Sequence, residues 1–158
     1  MIAIRSLTVS VYVIRYREPQ QVDVLLLERA KAPALGAWFQ VTGRLEAGEA
    51  AADAARREMV EETGLVPDRL YAANWIEQWF SPESGAILLA PVFVGVVGTD
   101  APVRVNAENR SARWMSLSAA IDLVSYPVQR DSLDRLRRDF ANRDPDERLL
   151  IESANKRF

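Results

Sequence analysis

The segment that most restricts how this chain can fold runs from Gly43 to Leu65, with the sequence GRLEAGEAAADAARREMVEETGL. It is rich in Ala, Glu and Arg, which have high intrinsic helix propensity. We therefore predict a helix over residues 49–63, preceded by a loop. Gly64 is expected to end the helix, because glycine readily takes the left-handed conformation of a C-cap.

The predicted helix carries three carboxylates on one side. Glu58, Glu61 and Glu62 stand at positions i, i+3 and i+4, which share a face. Like charges at this spacing repel each other, so the face needs a compensating cation, and hard oxygen ligands suit Mg²⁺. Small residues on the same side would leave room for a hydrated ion and a polyphosphate: Ala51 and Ala54. The other side would face a core through Ala52, Ala55 and Met59.

A solvated acidic surface is the alternative for such a cluster, since most charge runs are solvated. The spacing of the whole segment favours the metal site, because it resembles the Nudix box, GX5EX7REUXEEXGU, where U is a bulky aliphatic residue. The fixed positions of that pattern are all matched, by Gly43, Glu49, Arg57, Glu58, Glu61, Glu62 and Gly64. Met59 and Leu65 fill the U positions. At residue frequencies of about 6–7%, a chance match is on the order of one in a billion per start site.

The resemblance implies roles for the matching residues. Glu58 and Glu62 correspond to the principal metal ligands. Glu61 corresponds to a further ligand or to the base that deprotonates the attacking water. The implied cofactor is Mg²⁺, which Mn²⁺ can replace. Supporting roles fall to Glu49 and Arg57, whose guanidinium can hold carboxylates, and to the loop-shaping glycines Gly43, expected in a tight turn, and Gly64.

A further acidic residue often faces the box from a late loop in this family, and Glu108 is our candidate. It lies in NAENRSARWM, just before a predicted strand that carries Trp114. The segment resembles an EH…W arrangement of nucleotide- and pterin-triphosphate-cleaving members, with Asn109 where His is common. Asp100 is the competing loop acid, and an exposed loop charge is the non-functional interpretation of Glu108.

The segments WFQVTG and PVFVGVV resemble the branch that includes dihydroneopterin triphosphate and dATP pyrophosphohydrolases. By this resemblance Arg29 and Thr42 would contact the substrate, with Arg5 as a further candidate. Aromatic residues that could stack on a flat ring are Trp38, Trp75, Trp79 and Phe80, of which at least two are expected in the core.

Strands come first in the predicted element order, a helix interrupts them, more strands follow, and helices close the chain. The predicted strands cover residues 6–16, 22–28, 38–42, 70–80, 87–97 and 103–105, and another is entered at Trp114. Later helices are predicted up to Val124, capped by Ser116 or Ser118, and over 127–140. This order indicates an α+β fold, and the resemblance implies the Nudix fold, a mixed sheet between helices with a loop-helix-loop motif. We expect one domain over 1–158, with its core at about 5–140 and a tail at 145–158.

Composition excludes several function classes. The chain has no cysteine, so disulfides and thiolate metal sites are excluded. It has no histidine either, which excludes zinc catalysis through His ligands and leaves carboxylate, Lys, Tyr or an ionised water as the base. The net charge of −2 argues against a dedicated binder of duplex nucleic acid. No apolar run approaches the roughly 20 residues of a membrane span, and the cytoplasm is the expected compartment.

These features predict an Mg²⁺-dependent pyrophosphohydrolase that cleaves a nucleoside triphosphate such as dATP, or a pterin triphosphate, to a monophosphate and pyrophosphate. A hydrolase of Ap4A, ADP-ribose or nucleotide sugars is the alternative enzyme. A catalytically silent nucleotide-binding module of the same fold is the non-enzymatic alternative, although silent members usually lose acids of the box and this chain keeps all of them. The expected partner is thus a small molecule, and a homodimer is compatible with the sequence.

Overall fold

A computed structural model describes residues 1–153 of the chain. Its strands are β1 (Ala3–Arg5), β2 (Thr8–Glu18), β3 (Gln21–Arg29), β4 (Trp38–Phe39), β5 (Val41–Arg44), β6 (Arg69–Ser81), β7 (Ala86–Val96), β8 (Asn109–Ser116) and β9 (Leu150–Ser153). Its α-helices are α1 (Ala51–Thr63), α2 (Leu117–Leu123) and α3 (Pro127–Leu136). A π-helical turn over Arg137–Ala141 follows α3, and a 3₁₀ turn covers Glu147–Leu149.

The strands form one mixed sheet whose centre is β2. This strand pairs in parallel with β7 and antiparallel with β3 and β5. The strand β8 adds to β3 on the same sheet, while β6 and then β9 extend it beyond β7. The β2–β5 pairing brings the start of the acidic segment, at the end of β5, against the middle of the sheet.

Each face of the sheet is covered by helices. On one face Tyr12, Leu26 and Val94 pack against buried residues of α2 and α3. On the other, Val11, Leu27 and Phe93 pack against Ala54, Ala55 and Met59 of α1. Burial of both faces explains why β3 reads as a continuous apolar run. The predicted α+β sandwich is confirmed.

Several local predictions are corrected by the structure. The helix α1 begins at Ala51 rather than at Glu49, whose carboxylate instead accepts a hydrogen bond from the Glu46 backbone N–H at 2.9 Å. Ala54 is fully buried against the sheet and does not line the acidic side. The strand β8 begins at Asn109, five residues before Trp114, because residues 109–116 pair with β3. Within the described chain, residues 103–105 form no strand.

The C-terminal region is more regular than the sequence indicated. Residues 150–153 form β9, which pairs antiparallel with β6, and Glu152 lies 3.2 Å from Arg56 of α1. The predicted helix over 127–140 is α-helical only as far as Leu136. Residues 154–158 of the predicted tail lie outside the described residues. None of the helices described for residues 1–153 has the length and apolar character needed to cross a bilayer.

Candidate active site

Arg57 is the centre of an ion network that joins α1 to the loop before it. Its guanidinium binds the Glu49 carboxylate through two hydrogen bonds of 2.8 and 2.9 Å, and it donates to the Arg44 carbonyl at 2.9 Å. These bonds from Arg57 lower the pKa of Glu49 to about 2. Arg57 Nη1 also contacts Glu58 at 2.8 Å and Glu61 at 3.2 Å. Part of the repulsion on the acidic side of the helix is therefore relieved within the protein itself.

Gly43 leaves room for the Glu58 side chain and does not form a turn. It lies within β5, paired with Val9 of β2, and not in the tight turn that the sequence indicated. A Cβ atom added at Gly43 would stand 1.8 Å from Glu58 Cδ and 2.1 Å from Glu58 Oε1. The Glu58 carboxyl group thus rests directly on the backbone of β5, and burial there raises its pKa against the opposing effect of Arg57.

Glu62 is the most buried carboxylate of the acidic segment, with 1% of its surface exposed. Its Oε2 accepts a hydrogen bond from Asn109 Nδ2 at 3.1 Å and lies 3.7 Å from Arg29 Nη1. Its Oε1 is buried and has no hydrogen-bond partner among the described residues. Burial raises the pKa of Glu62 to about 7, although Arg29 and Asn109 lower it, and the charges of Glu108 and Glu58 add to the rise.

Glu108 is exposed in the loop that precedes β8, and its backbone carbonyl accepts a hydrogen bond from Ala30 at 2.9 Å. Its charge is among those that raise the pKa values of Glu58 and Glu62, whereas the exposed Asp100 is not. The structure thus brings Glu108 toward the acidic side of α1.

Asn109, which stands at the position of the common His, is 3% exposed and holds Glu62 in place. The sequence marked this residue only as a departure from the family pattern. No local signal predicts its contact with Glu62, because the contact joins residues 47 positions apart.

Arg29 and Thr42 lie together beside Glu62. Arg29 Nη2 donates to Thr42 Oγ1 at 2.5 Å, and its Nη1 reaches Asn109 Oδ1 at 3.4 Å. The guanidinium also stands 5.2 Å from the centroid of the Phe39 ring. Arg5, by contrast, lies exposed on β1 opposite Leu88 and forms no ion pair with any residue of the described chain.

The aromatic residue that contacts Arg29, Phe39, was not singled out from the sequence, and neither was its ring partner Tyr126. Phe39 lies against Arg29, and its ring centroid is 5.7 Å from that of Tyr126, at the start of α3. Tyr126 is 51% exposed, so this pair is open to solvent. The four predicted stacking residues lie elsewhere: Trp75 is in the core, where it donates to Ser132, Trp38 packs under Arg113, and Trp79 and Phe80 lie near the far end of β6.

The carboxylates have the character of a site for a hydrated divalent ion. Within residues 1–153, no three of them converge closely enough to enclose an ion by themselves. Mg²⁺ does not require such a cage, because it keeps several waters and commonly binds one or two carboxylates together with substrate phosphates. Glu62 Oε1 is buried and has no hydrogen-bond partner among the described residues, so it can serve as a ligand oxygen for a cation. The carboxylates of the acidic segment are therefore suitable ligands for Mg²⁺.

Metal-free protein is expected to lose stability as the pH rises from about 4.5 to about 7. The pKa of Glu62 is 4.5 ordinarily and about 7 in the fold, so the folded state keeps a proton that the unfolded state releases between these values. This contribution is complete below pH 4.5 and is lost as the pH rises through 7. Its size is at most about 3.5 kcal/mol, since each of the roughly 2.5 pKa units corresponds to about 1.4 kcal/mol.

Thermal melts in EDTA would measure this effect. Glu62→Gln cannot ionise, so at pH 8 it should melt several degrees above the wild type, while at pH 5 the two should melt close together. Equal separations at both pH values would contradict the proposed ionisation of Glu62.

Comparison with known proteins gives matches at the level of the family and of the fold. The family profile described as the NUDIX domain matches residues 6–136. An octanoyltransferase of Myxococcus xanthus is 36% identical over 132 residues, which cover 81% of this chain and 36% of that protein. An NAD-capped RNA hydrolase of Caenorhabditis elegans, ndx-9, is 31% identical over 91 residues, or 58% of this chain and 24% of that protein. The chain thus spans about a third or less of the length of these relatives.

A solved structure shares the fold over almost the whole chain. The crystal structure of a C. elegans Ap4A hydrolase in a binary complex superposes with a TM-score of 0.73 at 20% identity, covering 90% of this chain and all of that one. At this identity the likeness concerns the fold alone. The match of the domain profile to most of the chain, together with the box on β5 and α1, shows that this protein belongs to the NUDIX family, the family of the Nudix hydrolases.

Proposed function

We propose that this chain is an Mg²⁺-dependent hydrolase that cleaves a nucleoside or pterin triphosphate to the monophosphate and pyrophosphate. The observation that carries the proposal is the buried Glu62 carboxylate, which keeps one oxygen unpartnered while Arg29 stands 3.7 Å from the other. The buried Glu62 Oε1 can bind a divalent ion, and the neighbouring Arg29 can bind a phosphate. Together they provide what a complex of a metal ion with a phosphate requires.

Each residue around Glu62 has a distinct proposed task. Glu58 and Glu62 would hold the ion, with Glu108 completing the set from the loop before β8. A bound divalent ion neutralises the phosphate oxygens and lowers the pKa of water. Glu61 is 53% exposed at its side chain, so it can meet water as a further ligand or as the general base. Arg57 would act by holding Glu49, Glu58 and Glu61 in register.

Arg29 and Thr42 would contact the phosphates. The Arg29 guanidinium is close to both Glu62 and Phe39, with its Nη1 3.7 Å from Glu62 Oε2 and its Cζ 5.2 Å from the Phe39 ring centroid. An extended substrate with its phosphates at Glu62 would therefore bring its other end toward Phe39 and Tyr126. A solvent-accessible aromatic pair of this kind suits a flat heterocycle, since offset or tilted rings gain by stacking. This assignment moves the ring site from Trp38, Trp75, Trp79 and Phe80, which the sequence suggested, to Phe39 and Tyr126.

A substrate panel tests the proposal. Purified protein would be given dNTPs, NTPs, dihydroneopterin triphosphate, Ap4A, ADP-ribose and nucleotide sugars with Mg²⁺, and products would be separated by anion exchange. We expect pyrophosphate from at least one triphosphate, and no turnover in excess EDTA. Turnover of Ap4A, ADP-ribose or a nucleotide sugar alone would favour the alternative enzyme. Saturable nucleotide binding without any turnover would favour the silent module, and activity in EDTA would overturn the metal dependence.

The loop acid offers a separate prediction. Glu108→Gln is expected to raise the Mg²⁺ concentration for half-maximal rate about tenfold or more, because one charged ligand contributes on the order of 1.4 kcal/mol or more to holding the ion. Asp100→Asn is the matched control, since Asp100 is also an exposed loop acid. Mg²⁺ titrations of the initial rate would measure both variants. A raised requirement in Asp100→Asn with normal behaviour of Glu108→Gln would show that the wrong loop acid was chosen.

A further inference from the structure

A buried polar network lies between the sheet and α3, and the proposed chemistry does not use it. Its end point is Glu77 of β6, which is 2% exposed. Each Glu77 oxygen accepts two hydrogen bonds. Oε1 accepts from Tyr12 at 2.7 Å and Ser132 at 2.7 Å, and Oε2 accepts from Ser10 at 2.5 Å and Gln40 at 3.2 Å. A carboxylate has about four acceptor positions, so Glu77 is saturated and has no capacity left for a ligand.

The network continues from Glu77 through two amide side chains. Gln40, between β4 and β5, gives its Nε2 to Glu77, and its Oε1 accepts from Gln129 Nε2 at 3.0 Å. Gln129, in the first turn of α3, also donates to the Trp38 carbonyl at 3.2 Å. Its Oε1 accepts from the backbone N–H of Tyr126 at 3.2 Å. Both glutamines are buried, at 3% and 2% exposure.

The direction of this chain of bonds is fixed by its first member. A carboxylate only accepts, so Gln40 must turn its amino group to Glu77 and its carbonyl to Gln129. Gln129 must then turn its amino group to Gln40, which leaves its carbonyl for the Tyr126 N–H. Each amide has one orientation that satisfies all of its partners, and an unpaired buried polar group is costly.

The end of the network opposite Glu77 lies next to the two aromatic residues assigned to the substrate ring. Gln129 anchors both neighbours of Phe39, the carbonyl of Trp38 and the side chain of Gln40, and the same amide binds the backbone of Tyr126. Gln129 therefore joins β4 to the start of α3, the two elements that carry the ring pair. The centroids of the Phe39 and Tyr126 rings are 5.7 Å apart.

We infer that Gln129, oriented through Gln40 by Glu77, is a positioning residue that sets the spacing of Phe39 and Tyr126 and thereby the affinity for the heterocyclic end of the substrate. The inference rests on the proposed function for its kinetic consequence. The phosphates and the ion are held by a separate set of residues, so the network should affect binding of the ring and leave the chemical step unchanged.

Gln129→Glu tests this inference. It keeps the shape of the side chain but replaces the donor Nε2 by an oxygen, which then faces the carbonyl oxygens of Gln40 and Trp38. We expect KM for the triphosphate to rise about tenfold or more, because two buried hydrogen bonds from Gln129 Nε2 are lost, with kcat within about twofold. The inhibition constant of inorganic tripolyphosphate, which has no ring, should stay unchanged. Adding Glu77→Gln should restore part of KM, since Gln40 can then turn over, donate to the new carboxylate in α3 and accept from the new amide in β6, while the Trp38 carbonyl still faces an acceptor. Tyr12→Phe, which removes one donor to Glu77 and leaves both amides paired, should keep the wild-type KM.

Hydrogen exchange gives a readout that needs no substrate. The Tyr126 amide should exchange about tenfold or more faster in Gln129→Met, whose thioether is at most a weak acceptor, than in the wild type, whereas Gln129→Glu keeps an acceptor for this amide and should exchange near the wild-type rate. Gln129→Met also replaces Gln129→Glu in the kinetic test if the latter fails to fold. An equal rise in KM and in the tripolyphosphate constant, a lowered kcat at constant KM, or no rescue in the double variant would overturn the inference. A wild type that turns over no triphosphate would instead overturn the proposed function, and the exchange rates would still decide whether the network positions Tyr126.

Discussion

Glu62→Gln is expected to lower kcat by about 100-fold or more, the scale seen when a group central to transition-state stabilisation is removed. The substitution removes the negative charge and keeps the shape of the side chain. The fold should persist, because the carbonyl of the introduced amide can still accept the hydrogen bond from Asn109, and the variant no longer carries a buried charge. The measurement is kcat at saturating Mg²⁺, with a circular dichroism melt of the same sample.

Asp53→Asn is the control for this experiment, since Asp53 lies exposed in the first turn of the same helix. It removes one carboxylate from α1 without touching the acidic side that faces Arg29, so its kcat should match that of the wild type. Loss of the cooperative melt together with activity in Glu62→Gln would mean that Glu62 is structural. Full activity would exclude it as a metal ligand.

Gly43→Ala is expected to reduce kcat/KM by about 100-fold or more, although it adds only a methyl group. That methyl group would stand 1.8 Å from Glu58 Cδ, so the carboxyl group or β5 must move. A displacement of about 1 Å in a catalytic group can cost about 100-fold in rate. Overpacking of this kind also destabilises a protein by roughly 1–3 kcal/mol, which should appear as a lower melting temperature.

Gly98→Ala is the matched control for the methyl group. A Cβ atom at Gly98 would meet nothing closer than Asp68 Oδ2 at 3.9 Å, which is an ordinary contact. Both activity and melting temperature of this variant should stay near the wild-type values. Wild-type activity in Gly43→Ala would show that Glu58 can be held elsewhere and still serve the reaction.

The two predictions bear on different parts of one arrangement. Gly43 acts through Glu58, which Arg57 already neutralises in part at 2.8 Å. Glu62 has the weaker compensation, because Arg29 stands farther away at 3.7 Å and one oxygen has no partner in the described chain. We therefore expect Glu62 to contribute most to binding the ion and Glu58 to depend most on the exact backbone of β5.

The sequence by itself determined the local part of this site. Helix α1, its C-cap at Gly64 and the common side of Glu58, Glu61 and Glu62 follow from periodicity and propensity within a single segment. The order of strands and helices follows from the pattern of apolar residues, and that order was enough to predict the α+β sandwich. The family pattern also pointed to Arg29 and Thr42, and the structure places the two in contact at 2.5 Å.

Only the tertiary structure decided which distant residues meet the acidic segment. The contact of Asn109 with Glu62, the pairing of Phe39 with Tyr126, and the network from Glu77 to Gln129 all depend on the register of strands that are far apart in sequence. The same holds for Gly43, whose lack of a side chain was expected to serve a turn and instead admits Glu58. Local propensity is set by neighbours within a few residues, whereas these contacts are set by how the sheet packs against α1 and α3, and that packing is a property of the whole fold.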